Sequence, residues 1–121
     1  MNELINRVVN VLYEKKAQQI AALDVSGMTV ITDYMVIANG RSTLQVKTLA
    51  DQVEDRLAEQ GIFPLRKEGS QEGRWIVLDY GTALVHLFHT DEREFYRLDN
   101  LWDNGANLLP LPLTQEEGEG S

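Results

Sequence analysis

The chain contains no cysteine. That excludes disulfides, thiolate nucleophiles and thiolate metal sites together, and it fits a reducing compartment. Proline is scarce, with three in 121 residues. Pro64 opens a stretch read below as an edge strand, and Pro110 and Pro112 fall in the tail. No apolar run approaches the roughly 20 residues that span a bilayer. The opening Met1-Asn2-Glu3-Leu4 has no basic segment followed by an apolar one, so no secretory signal is expected. The expectation is a soluble cytoplasmic protein without a membrane partner. Basic residues are also few, 11 Lys and Arg against 19 Asp and Glu, for a net charge of -8. Such a chain is not drawn to bare phosphate backbone by its overall field. On a nucleoprotein it would meet a basic protein component or use a local basic patch. Part of the imbalance lies at the end, where Asp103, Glu116, Glu117 and Glu119 have no Lys or Arg after Arg97 to offset them.

What is present suffices for a core. Hydrophobic residues make up 43% of the chain, enough for one domain without a disulfide or metal staple. Leu4, Ile5, Val8 and Leu12, widened by Val9 and Val11, predict a helix over residues 2–17. Residues 20–25 read as a short strand before the Ser26-Gly27 turn, and residues 34–38 as a buried strand. Ser42 stands three residues before Gln45, the capping-box spacing, and Val46, Leu49, Ala50, Val53 and Leu57 share one helical face before Gly61. A helix over residues 43–60 follows. Residues 64–67 read as an edge strand, since proline is tolerated there, and residues 69–73 as a loop. Residues 75–79 and 83–88 read as a hairpin around Tyr80-Gly81-Thr82. Thr90 caps a last predicted helix, with Asp91, Glu92 and Glu94 in its first turn and Phe95, Leu98 and Trp102 on its apolar side. The order α-β-β-α-β-β-β-α predicts an α/β fold, a mixed five-stranded sheet with packed helices. Residues 1–103 form the expected domain, and residues 104–121 an acidic tail expected to be disordered.

Both hairpin strands are apolar on both faces. Trp75 and Val77 point one way, Ile76 and Leu78 the other. A two-residue loop sets Trp75 on the face of either His86 or Phe88. If helices cover only one face, an aromatic patch is left exposed, the mark of an interaction surface, and Tyr80 at the tip would extend it. The competing reading makes Trp75 and Phe88 core. His86 sits inside an apolar strand, where a structural histidine is the commoner finding. His89 follows, but no Cys or H-E-x-x-H accompanies the pair, so no metal site is expected. Asp24, Asp33 and Asp79 stand near strand ends and read as turn and cap residues. Gly40-Arg41-Ser42 opens a helix, where a phosphate would find backbone N–H groups, but it lacks a P-loop pattern and reads as a cap. Arg66, Lys67 and Arg74 form a small basic group with two readings, a solvated sheet edge or, on a nucleoprotein, a contact to its RNA.

Three stretches taken together resemble the ribosome-silencing, or Iojap-like, family. They are Thr32-Asp33-Tyr34-Met35-Val36-Ile37-Ala38-Asn39-Gly40; Trp75-Ile76-Val77-Leu78-Asp79-Tyr80-Gly81 with Val85-His86-Leu87-Phe88; and Phe95-Tyr96-Arg97-Leu98-Asp99-Asn100-Leu101-Trp102. The likeness covers roughly residues 4–102. It implies a nucleotidyltransferase-like fold without the catalytic carboxylates, and no Asp-x-Asp pair lies on a predicted strand here. It implies a non-enzymatic protein without cofactor that binds the large ribosomal subunit through ribosomal protein fourteen. Bound there, it would obstruct joining of the small subunit and repress translation when nutrients are short. Family members also form dimers. The family's hairpin tryptophan, an interface residue, corresponds to Trp75. The expected partner-binding set is Trp75, Tyr80, His86, Phe88, Lys67 and Asp79, with no catalytic residue. Two departures bear on the turn: the family's Gly-Asp is Gly81-Thr82 here, and Ala83 replaces a larger aliphatic residue. Two rivals differ in class. One is a nucleotidyltransferase-like enzyme using Ser42 near a phosphate and Asp24, Asp33 or Asp79 for magnesium. The other is a homodimeric adaptor for a non-ribosomal protein.

Overall fold

A computed structural model describes residues 3–91 and 102–109. Helix α1 (Glu3–Glu14) buries Ile5, Val8, Val9, Val11 and Leu12. It is shorter than the residue pattern suggests. Lys16 turns into the left-handed region at φ 63°, and Ala17 N–H then bonds back to the Leu12 carbonyl at 2.9 Å, closing the last turn. Strand β1 (Gln18–Asp24) follows, then β2 (Tyr34–Gly40).

Helix α2 (Thr43–Ala58) has the ends expected of it. Ser42 Oγ accepts from Gln45 N–H at 3.0 Å, and Gln45 Oε1 accepts in turn from Arg41 N–H at 2.7 Å, one residue before the usual capping-box position. At the other end Gly61 N–H bonds to the Ala58 carbonyl and Ile62 N–H to the Leu57 carbonyl, the paired bonds of a Schellman motif, with Gly61 at φ 76°. Val46, Leu49, Ala50, Val53 and Leu57 form the buried stripe.

Strands β3 (Arg66–Glu68), β4 (Trp75–Asp79) and β5 (Ala83–His89) complete a five-stranded sheet of order β1-β2-β5-β4-β3. The β2–β5 pair is parallel and the other pairs are antiparallel, so the sheet is mixed. Strand alternation sorts the side chains into two layers. On one face Ala22, Val36, Ala38, Ile76, Leu78, Ala83, Val85 and Leu87 pack with the apolar stripes of α1 and α2. On the other lies a smaller cluster of Leu23, Val25, Met35, Ile37 and Phe88, with Trp75, Leu84 and Trp102 half-buried against it. Arg56 on α2 donates to Glu14 at the end of α1 at 2.6 Å, tying the two helices together.

Of the expected last helix, Thr90, Asp91 and Trp102 are helical, and Glu92, Glu94, Phe95 and Leu98 lie outside the described residues. The order found extends past residue 103, where the sequence pattern fades. Asp24 N–H bonds to the Asn107 carbonyl and Leu109 N–H to the Ala22 carbonyl, so this segment lies along the outer edge of β1. Pairing of an edge strand satisfies backbone groups and blocks its use by other chains. Residues 110–121 lie outside the described residues.

Candidate functional site

The hairpin register decides which aromatic side chains meet. Trp75 pairs with Phe88, Val77 with His86 and Asp79 with Leu84. Tyr80 N–H bonds to the Ala83 carbonyl at 2.9 Å, leaving Gly81-Thr82 as a two-residue loop with Gly81 at φ 85°. Trp75 therefore shares its face with both His86 and Phe88. Trp75 lies 4.8 Å from Phe88, centroid to centroid, at an interplanar angle of 30°. Its indole Nε1–H donates to His86 Nδ1 at 3.1 Å.

Burial grades this cluster. Phe88 is fully buried and belongs to the core, Trp75 is half-buried, and His86 is buried, its Nε2 without a hydrogen-bond partner among the described residues. Burial in this apolar layer pushes the His86 imidazole down to about 4. Its register neighbours, Ile37 on β2 and Val77 on β4, bring no charge. His86 and His89 stand three residues apart on one strand and so project to opposite faces.

Three residues of the expected set stand elsewhere or serve the fold. Tyr80 does not extend the aromatic surface: alternation carries it to the helix-covered face with Ile76 and Leu78, where it is buried. Burial first, then the nearby Glu54 charge, raises its phenol well above the ordinary tyrosine range. Lys67 also points to the helices, and its ammonium donates to Glu54 at 2.8 Å and Asp51 at 3.3 Å on α2. Burial opposes its charge, but these two carboxylates hold its affinity for the proton above the ordinary lysine value. Asp79 shares the Trp75 face, where one carboxylate oxygen accepts from Gly81 N–H at 2.8 Å and the other lies 3.9 Å from Arg66 Nε. Asp24 is likewise a turn residue. Its carboxylate accepts from Ser26 Oγ at 2.6 Å and Ser26 N–H at 3.0 Å, and these bonds lower its pKa.

The exposed large apolar residues include Val30, Ile31, Phe63 and Leu65, whose exposure the sequence pattern does not mark. The segments that carry them meet the end of the hairpin: Thr82 carbonyl accepts from Asp33 and Tyr34 N–H, and Leu65 N–H bonds to the Asp79 carbonyl. Apolar residues inside loops carry no periodicity, so only their chemistry at a loop position marks them. Among the described residues no group of three or more His, Asp or Glu is placed to hold a metal ion, and no helix is long and apolar enough to cross a membrane.

Comparison with known proteins gives this geometry a family. The model of the family described as "Ribosomal silencing factor during starvation" matches residues 1–120. The ribosomal silencing factor RsfS of Halalkalibacterium halodurans is 41% identical over 106 residues, 88% of this chain and 91% of that protein. That of Bacillus subtilis is 42% identical over 89 residues, 74% of this chain and 75% of that protein. More distant, at 28% identity over 101 residues, is mouse "Mitochondrial assembly of ribosomal large subunit protein 1", of which the match covers 44%. A crystal structure of a Bacillus halodurans protein superposes with a TM-score of 0.80 at 37% identity, covering 92% of this chain and all of that one. One from Chromobacterium violaceum gives 0.81 at 33% identity over 84% of this chain and 87% of that one. The chain belongs to the ribosomal silencing factor family.

Proposed function

We propose that the protein represses translation in the cytoplasm by docking the Trp75 face of its sheet on the large ribosomal subunit, against ribosomal protein fourteen. Occupancy of that surface obstructs joining of the small subunit, and the effect requires no catalysis. The observation that carries this reading is the half-buried Trp75, on the sheet face opposite α1 and α2 and backed by the buried Phe88. Tryptophan is enriched among interface hot spots, where its large ring fills a pocket on the partner. The charge balance supports the choice of partner. A chain of net charge -8 is attracted to a basic ribosomal protein, and opposite charge speeds encounter and sets orientation.

Trp75→Ala tests the reading. Affinity for purified large subunits is expected to fall by about 2 kcal/mol or more, roughly 30-fold, with the unfolding transition still cooperative. Unchanged affinity in a folded variant counts against docking through this face.

A further inference from the structure

We infer that His86 is the positioning residue of the docking face: its Nδ1 holds the indole N–H of Trp75 and fixes the ring in the orientation that a partner meets. This rests on the docking reading above for its use, and on the geometry of the two side chains for its existence.

Indole Nε1–H is a donor only. His86 Nδ1, at 3.1 Å from it, must therefore be the unprotonated nitrogen. The neutral imidazole then carries its proton on Nε2, which is buried and has no acceptor among the described residues. The unpartnered Nε2–H is a cost that an apolar side chain of similar size would not incur. What this histidine supplies that an aliphatic residue does not is the acceptor at Nδ1. Burial favours the neutral form that can accept.

The position of the bond explains its use. Trp75 begins β4, and two contacts among the described residues bear on its ring. Phe88 across the ladder lies 4.8 Å away, and His86, paired with Val77, sits diagonally along β5. His86 and Phe88 stand two residues apart on β5, so both supports come from one face of the sheet, and their rings lie 14° from parallel. Stacking against Phe88 is not directional within the ring plane. The directional bond to Nδ1 selects one orientation and removes part of the ordering cost from the docking step.

The test uses the full chain, nitrogen-15 NMR of the indole N–H, and sedimentation with purified bacterial large subunits. Trp75→Phe assigns the resonance against that of Trp102. In the wild type the Trp75 indole proton is expected to exchange at least about tenfold more slowly than that of a free indole. His86→Leu removes the acceptor at similar volume. It is expected to accelerate indole exchange and to weaken subunit binding by roughly three- to tenfold, the worth of one directional hydrogen bond. His86→Asn returns an acceptor at the side-chain position of Nδ1 and is expected to recover most of both. Equal losses in the Leu and Asn variants, or an unprotected indole in the wild type, overturn the positioning role; the wild-type measurement decides even if His86→Leu does not fold. The exchange arm is read on the free protein, so the two claims separate. A protected indole in a wild-type chain that does not bind the subunit overturns the docking reading and leaves the hydrogen bond standing.

Discussion

Trp75 and Phe88 face each other across the β4–β5 ladder, ring to ring at 4.8 Å, yet one is half-buried and the other fully buried. The same contact serves two ends. Phe88 belongs to the fold, and Trp75 uses it as a base. Phe88→Ala opens a cavity in the smaller core layer and is expected to cost about 3–5 kcal/mol of stability. Trp75→Ala removes a ring that is already partly in water and is expected to cost less, on the order of 1–2 kcal/mol. Urea unfolding of the two variants checks the ranking, and equal losses contradict it.

His86 makes stability depend on pH. Its imidazole is pushed down to about 4 in the fold from an ordinary 6.5, by burial. Between these values the unfolded chain binds a proton that the folded chain does not, so stability falls as pH drops from about 6.5 toward 4. The expected loss from this group is about 3 kcal/mol at pH 4. Carboxylates add their own changes in the lower part of the window. The check is therefore the difference between wild type and His86→Asn, measured by urea unfolding at pH 7, 5.5 and 4.5. The wild type is expected to lose more stability than the variant across the series, and parallel curves contradict the assignment.

Gly69 is fixed by backbone geometry. It sits at φ 83°, and a Cβ there meets the carbonyl oxygen of Trp75 at contact too close to accommodate. Gly69→Ala is expected to destabilise by at least about 1 kcal/mol through the left-handed φ alone. The clash displaces the start of β4 as well, so subunit binding is expected to weaken further than the stability loss explains. Denaturant midpoint and subunit affinity, measured on the same preparation, check both effects. An unchanged midpoint contradicts this account of the loop.

Much of the fold was legible because local and tertiary preferences agree. The α2 boundaries follow from Ser42, Gln45 and Gly61, each of which makes the bonds its type suggests. The hairpin parity was also legible, and it held the answer for Tyr80. Continuing Ile76 and Leu78 by two residues sends Tyr80 to the helix side, while its place at a turn suggested exposure. Lys67 was not legible, because its partners Asp51 and Glu54 lie on a helix that meets β3 only after folding. Nor was the docking of residues 107–109 along β1, whose bonds run to Ala22 and Asp24 more than eighty residues earlier in sequence. The Trp75–His86 bond lies between. Strand alternation put both on one face, but the 3.1 Å contact depends on a diagonal placement that only the register settles.

The central claim is occupancy of the large subunit through the Trp75 face. The most direct test is a sucrose-gradient assay of subunit rejoining, with separated large and small ribosomal subunits and either wild-type chain or Trp75→Ala. The expected result is that the wild type travels with the large subunit alone and suppresses formation of the joined ribosome, while the folded variant stays near the top and suppresses little. Rejoining that proceeds equally with and without the wild-type chain, or a Trp75→Ala protein that blocks it as well as the wild type, contradicts the account.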